Sequence, residues 1–223
     1  KLGRPVVPVF WIAGEDHDWQ EIRETYVLNA QGKPVACRLP GNGGGESVGR
    51  QRVPAWEDIA GQLTELPESE FRSAVLKEYR QITEKAKDLS QWFALTLQYL
   101  VKEWGLILFD PQLPEFKRLA MPMYERILKM HRDVRRAFSL RTEKWLELGF
   151  TQQIQPTGGE VNLFLAVPER RAILYTDDYF LLRGQKEHWD LDTLKQMLEE
   201  KPEQFSPSVV TRPIVQEYLW PTL

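Results

Sequence analysis

Two short apolar runs that do not alternate constrain this chain more than any other feature. Residues 5–13 read Pro-Val-Val-Pro-Val-Phe-Trp-Ile-Ala, and residues 106–109 read Leu-Ile-Leu-Phe. A strand with one face in water alternates apolar and polar residues, whereas a strand covered on both faces does not. Both runs therefore predict strands buried on both faces, as in a parallel α/β sheet. Pro8 cannot donate a ladder bond, so the first strand should be strongest beyond it. Each run stops at acidic residues: Gly14-Glu15-Asp16-His17-Asp18 after the first, and Asp110-Pro111 after the second. Ligands of open α/β sheets bind outside the carboxyl ends of strands. These two turns are thus the first places to look for a site.

The stretch between the runs divides in two. Asp18, with Glu21 three residues on, predicts the capped start of a short helix. Asn29-Ala30-Gln31-Gly32-Lys33, between apolar stretches, predicts the turn of a hairpin over Tyr26–Arg38. Residues 40–49 are Gly-rich and polar and read as a mobile loop. From Pro54 the pattern turns helical. Val53, Trp56, Ile59, Ala60 and Leu63 share a stripe, with Pro54 in the first turn. A second helix follows Pro67 through Leu76, Tyr79 and Ile82. A third covers Ser90–Trp104, with Phe93, Leu97, Leu100 and Val101 on one stripe, and Gly105 stops it.

Beyond the second run, residues 115–148 predict one long helix kinked at Pro122. A strand is expected from Ile154. A hairpin pairs Val161–Val167 with Arg171–Tyr175 across Pro168-Glu169-Arg170, and Tyr179–Arg183 adds a short strand. Leu191–Glu200 is an acidic amphipathic helix broken by Pro202. Ser206-Pro207 then reads as the N-cap and first residue of a last helix. The organisation expected is 1–53 (core strand, acidic turn, hairpin and Gly loop), 54–105 (helical insertion), 106–149 (core strand and long helix) and 150–223 (β-hairpins and C-terminal helices).

Composition removes several classes of function. At about 150 residues per domain, 223 residues make about one and a half domains. With 29 basic and 32 acidic residues, the net charge of −3 gives no field to draw nucleic acid by counterion release. No apolar run approaches the roughly 18–20 residues of a membrane span. The single cysteine, Cys37, forms no internal disulfide and fits a reducing, cytoplasmic compartment.

The acidic run carries the strongest chemical signal. Grouped carboxylates and an imidazole shift one another's pKa, which suits acid–base work. Asp16 and Asp18 flank His17 and could orient it, while the bland alternative is a helix cap facing water. A metal site is the weaker reading, since no paired-histidine spacing is present. The second signal is Ser206-Pro207-Ser208-Val209-Val210-Thr211-Arg212-Pro213. There a helix N-terminus and the Arg212 fork would favour an anion, with Gln216 one turn on. The plain alternative is a capped helix with Arg212 in a salt bridge. Asp110 either lines the same crevice as the acidic run or is a turn residue. Asn162 is polar in an apolar strand and either satisfies backbone or reaches a ligand. The Gly43-Gly44-Gly45 loop lacks the Gly-Lys-Ser/Thr of a phosphate-binding loop. The basic stretch Lys129–Arg141 is interleaved with acids and reads as a solvated face. Cys37 has no histidine near it in sequence and is not a convincing nucleophile.

Pro8-Val9-Phe10-Trp11-Ile12-Ala13-Gly14-Glu15-Asp16-His17-Asp18 closely resembles the hallmark stretch of the cysteine-adding enzymes of bacillithiol biosynthesis, the cysteine ligases. Leu108-Phe109-Asp110-Pro111, Val161-Asn162-Leu163-Phe164 and Phe205–Pro213 through Gln216-Glu217-Tyr218 to Pro221-Thr222-Leu223 agree with it in order and spacing. The chain departs from the family pattern at Ser208, where Asn is usual. It departs again at Arg23-Glu24, where Asn-His commonly follows Glu-Ile. A Gly- and Gln-rich segment before this region and a Gly-Pro-Gly-Glu-like turn after it are not in the chain. The resemblance implies an α/β, Rossmann-like core of nucleotidyl-transferase type, with a helical insertion, a coiled-coil part and an antiparallel β excursion. It implies ligation of cysteine to the amino group of glucosaminyl-malate, with ATP, accompanied by Mg²⁺, activating the carboxyl and no tightly bound cofactor. His17, Asp16 and Asp18 would be the catalytic group. Glu15, Asp110, Asn162, Arg212 and Gln216 would bind substrate, with Arg212 on a carboxylate or phosphate. A homodimer is expected of the full-length protein, with no nucleic-acid or membrane partner, and this piece alone is expected to be inactive. Two other readings stay open: another ATP-dependent ligase or nucleotidyl transferase of the same fold, and a non-catalytic binding or assembly module.

Overall fold

The predicted parallel pairing is present. In a computed structural model describing residues 3, 6–43, 46–152, 154, 158–167 and 169–221, β1 (Val9–Trp11) and β4 (Ile107–Phe109) run parallel, Phe10 opposite Leu108. β1 begins just after Pro8, whose carbonyl accepts from Ile107 N at 3.0 Å. The expected burial on both faces is not found. Val9 and Phe10 are each 39% exposed, because these two strands make a sheet of their own with no further strand beside them among the described residues.

The chain forms two units, residues 1–112 and 113–223. In the first, β1 leads to α1 (Trp19–Ile22) and to an antiparallel hairpin of β2 (Glu24–Leu28) and β3 (Pro34–Arg38). The turn is built as the sequence requires. Asn29 Oδ1 accepts from the backbone N–H of Gln31 and Lys33, and Gly32 takes φ +70°. Next come a 3₁₀ turn at Val48–Arg50, α2 (Trp56–Ala60), α3 (Arg72–Lys85), α4 (Leu89–Val101) and β4. Val48 and Gly49 are buried, so the end of the expected mobile loop is packed; Gly44 and Gly45 lie outside the described residues. Pro54 stands before the Ala55 N-cap of α2 rather than in its first turn. Gly105 adopts φ +64° after a closing 3₁₀ turn, the left-handed stop expected of it.

The second unit opens with α5 (Pro114–Lys129) and α6 (His131–Glu147). The single long helix expected there is two helices, and the break falls at Met130 (φ −103°, ψ +17°), not at Pro122, which lies inside α5. A five-stranded antiparallel sheet follows, in spatial order β8-β7-β6-β5-β9. Its members are β5 (Glu160–Ala166), β6 (Arg170–Thr176), β7 (Tyr179–Leu182), β8 (His188–Trp189) and β9 (Phe205–Pro207), with α7 (Leu191–Glu200) and α8 (Arg212–Leu219). Ile154 forms a bend rather than a strand, and Gln153, Gln155, Pro156, Thr157 and Pro168 lie outside the described residues. Ser206 and Pro207 do not start a helix. They pair with Phe164 and Leu163 of β5, and the helix begins five residues after Pro207, at Arg212. The apolar stripe Phe116, Ala120, Tyr124, Ile127 and Leu128 of α5 is buried, as are Leu163, Leu165, Ile173, Leu182 and Phe205 of the sheet.

Candidate active site

The carboxyl ends of β1 and β4 lie side by side, and Ile12 N continues the ladder to Phe109 O at 2.9 Å. Beyond Ile12 the acidic run folds on itself. Asp16 Oδ1 accepts from the backbone N–H of His17 at 2.7 Å and of Asp18 at 3.4 Å. Asp18 Oδ1 accepts from Gln20 N and Glu21 N, the cap read from the sequence. The carboxylates thus shape the turn that presents His17, which is half-buried with Nε2 withdrawn from solvent. Trp19 anchors the far end of the turn. It is buried against Val48 and Leu89, and its indole N–H donates to Gly41 O at 3.1 Å.

A second layer, not foreseen from the sequence, fixes this turn from behind. Val48 N donates to Asp16 O at 2.7 Å, and Gly49 N donates to Gly14 O at 2.8 Å. The glycines meet so closely that a Cβ on Gly49 would lie 2.8 Å from the Gly14 Cα and 2.1 Å from Gln112 Nε2. Ser47 Oγ donates to Gln112 Oε1 at 2.6 Å, and Gln112 Nε2 donates to Ser90 Oγ at 3.1 Å. Asp110 Oδ1 accepts from Gln112 N at 2.9 Å, so this carboxylate holds Gln112 in place as a turn residue does. Only the Asp-x-Gln spacing hinted at this. Ser47, Ser90 and Gln112 are too far apart in sequence for any local pattern to unite them. Beside the network lies a cavity of about 330 Å³ lined by Trp11, Ala13, Gly14, Gly49, Ser90 and Phe93 among others. Its walls are mostly apolar, with Ser90 a polar point.

Asn162, Arg212 and Gln216 belong to the second unit, Asn162 on β5 and the other two in α8. Asn162 takes φ +65° at a register shift in β5. Its carbonyl accepts from Ser208 N at 3.0 Å and from Thr211 Oγ1 at 2.5 Å, and its side-chain oxygen accepts from Ser208 Oγ at 3.3 Å. Asn162 therefore satisfies the backbone and hydroxyls of the loop before α8. Arg170 steadies the same loop, with Nε donating to Ser206 Oγ at 2.7 Å and its guanidinium 3.7 Å from the centre of the Phe164 ring. Arg212, half-buried in the first turn of α8, and Gln216, one turn on, sit on a scaffold set by Asn162, Thr211 and Arg170.

No group of three or more His, Cys, Asp or Glu able to hold a metal ion occurs among the described residues. Nor do the paired glycines form an open phosphate cradle, since Ser90 and Gln112 occupy the space beside them. No helix is long and apolar enough to cross a membrane among the described residues.

The model of the bacillithiol biosynthesis BshC N-terminal Rossmann-like domain matches residues 1–223. The chain belongs to this family. A BshC protein of Staphylococcus carnosus, named putative cysteine ligase, is 34% identical over 229 residues, and one of Symbiobacterium thermophilum with the same name is 32% identical over 240. A Bacillus cereus protein of that name is 31% identical over 227 residues. Each alignment covers the whole chain but only 42–43% of the relative, so the chain spans less than half the length of these BshC proteins. The BshC assignment bears out the Rossmann-like α/β class that the resemblance implied.

Proposed function

We propose that the chain is the Rossmann-like part of a ligase that joins the carboxyl of cysteine to the amino group of glucosaminyl-malate. The observation that carries this reading is the turn Gly14–Asp18, held at the carboxyl ends of a parallel strand pair beside a cavity, in a chain of the BshC family. Joining a carboxylic acid to an amine expels water, so the carboxyl must first be activated. ATP, brought as its Mg²⁺ complex, is the co-substrate proposed for that activation. The protein's own contribution is positioning and proton handling. His17 would take the proton lost by the attacking amine. Asp16 and Asp18, each engaged with the backbone through Oδ1, would hold the imidazole in place. Glu15 and Asp110 would face the ammonium groups of the substrates. In the second unit, Arg212, with Gln216 one turn on and Asn162 fixing its loop, would take an anionic group, a carboxylate or a phosphate.

Product analysis tests the proposal. The whole protein, given cysteine, ATP and glucosaminyl-malate, should form the amide with stoichiometric AMP or ADP, and His17→Ala should lower kcat by two orders of magnitude or more. Formation of an amide with a different acceptor, but not with glucosaminyl-malate, would replace this reading by another ligase of the same fold. Unchanged kcat in His17→Ala would reduce that residue to part of a helix cap.

A further inference from the structure

A larger cavity, about 490 Å³, lies in the first unit between the β2–β3 hairpin and helices α2–α4. Pockets that enclose small organic molecules span roughly 300–1,000 Å³. Its wall is built from Ile59, Leu63, Leu76, Tyr79 and Trp92, and the aromatic part is held rigid. Trp92 donates its indole N–H to Thr83 Oγ1 at 3.1 Å and packs on the Tyr79 ring. Burial pushes the Tyr79 hydroxyl up to about 12, as expected of a wall poor in water. Ile22, Val75, Tyr99 and Leu100 also line the space yet remain exposed, so apolar surface is left facing solvent at its mouth. Protein interiors are otherwise close-packed, and apolar voids stay dry and take up apolar guests.

Two cations stand at the rim. Arg38 is engaged by Glu24, whose carboxyl is held below the usual range by hydrogen bonds from Tyr26 and Arg38. Arg23 is half-buried, lines the cavity and makes no ion pair among the described residues. Arg23 acts on the Glu24 carboxylate only through space, and an apolar chamber with a guanidinium outside any close ion pair at its edge favours an amphiphile with a negative end.

We propose that this cavity binds a small amphiphilic anion, an acyl chain ending in a carboxylate, with its tail against Leu63, Leu76, Tyr79 and Trp92 and its carboxylate at Arg23. The site is separate from the chemistry proposed above, whose substrates are polar. It also adjoins that chemistry: Ile22, Leu39 and Trp92 line both this cavity and the one at the end of β1. An occupant therefore presses on a wall of the candidate active site.

Cys37 lines the cavity and reports its occupancy. Alkylation of the Cys37 peptide by iodoacetamide, followed by mass spectrometry on the whole protein, should slow at least tenfold in saturating decanoate. Calorimetry should give one decanoate per chain. Leu76→Trp, which fills the chamber, should abolish both signals, and Val75→Trp serves the same purpose if that variant does not fold. Arg23→Gln should weaken decanoate at least tenfold while leaving decanol unchanged. The proposal is overturned by the absence of both protection and heat with decanoate, or by binding that is indifferent to the filling substitutions and to Arg23→Gln. Protection by an amphipathic peptide but not by decanoate would assign the cavity to a protein segment and also overturn it.

Discussion

The two units have nearly equal lengths and very different interiors. Among the described residues, the first unit buries six hydrophobic side chains, Ile12, Trp19, Val48, Ile59, Ile82 and Leu89, all between 5% and 9% exposed. The second buries sixteen, and Tyr124, Leu128, Val161, Ile173 and Phe205 have no exposure at all. The difference follows from architecture. In the second unit an amphipathic helix lies on a five-stranded sheet, and one apolar face meets another. In the first, a two-stranded parallel sheet and a separate hairpin leave Val9, Phe10, Tyr26 and Leu28 exposed and cavities between the elements. Stability is thus concentrated in one unit, while the acidic turn and both apolar cavities described above sit in the other. Regions of low packing density open most readily, and binding elements are commonly drawn from them.

The sharpest way to break this contrast is a cavity in the dense unit. Phe205→Ala removes a fully buried ring from β9 and should cost about 3–5 kcal/mol. Urea denaturation followed by hydrogen exchange resolved by peptide should show the loss across β5, β9 and α5. A loss confined to a few tenths of a kcal/mol would mean that the second unit is no better packed than the first.

In the first unit the tightest point is polar and local. Gly49→Ala places a Cβ against the backbone of Gly14 and the side chains of Ser90 and Gln112, so overpacking should cost about 1–3 kcal/mol. The bonds from Val48 and Gly49 to the acidic turn should weaken with it. Exchange at the amides of Val48 and Gly49 would report this directly, and the Phe205→Ala pattern should be absent. If exchange at those amides is unchanged, the glycine contact does not hold the turn.

How much of this could be read from the sequence depends on the range of the forces involved. The hairpin of residues 24–38 was legible because Asn29 and Gly32 encode it within one turn. The Asp18 cap, the Gly105 stop and α7 were legible for the same reason. Ser206-Pro207 misled because its local signal, a cap followed by proline, is genuine, but pairing with β5 gains more. The break at Met130 carries no proline or glycine. It coincides with His131 Nδ1 donating to Leu128 O at 2.8 Å, a side chain taking a helical carbonyl. At the candidate site the acidic turn announced itself, whereas Ser47, Ser90 and Gln112 are joined only by the fold.

A smaller effect separates a cap from a catalytic carboxylate. Asp18→Ala removes the acceptor for Gln20 N and Glu21 N and should cost about 1 kcal/mol at this exposed helix start. Asp18→Asn keeps a competent cap and should restore the stability. If Asp18 also holds His17 in its catalytic orientation, the Asn variant should be as stable as the parent and still slow in the ligation assay. Full activity in Asp18→Asn would leave only the cap.

The smallest effect is a slope with pH, and it should arise in the dense unit. His131 is buried beneath Tyr175 and Phe180, with Nδ1 on the Leu128 carbonyl and Nε2 without a hydrogen-bond partner among the described residues. Burial, helped by the nearby Arg132 and Arg135, holds its pKa below the ordinary imidazole value of 6.5. The unfolded chain therefore takes up a proton that the folded one refuses. Stability is unaffected above about pH 6.5, and falls as the pH drops from there toward the lowered folded value. Unfolding midpoints measured from pH 8 to 5 should decline through this window, with exchange rising first at the α5–α6 junction. His131→Phe keeps a ring of similar size without the titrating nitrogens, and should flatten the decline. If the slope persists in that variant, the acid sensitivity belongs to other groups and the close packing around His131 carries no proton-linked cost.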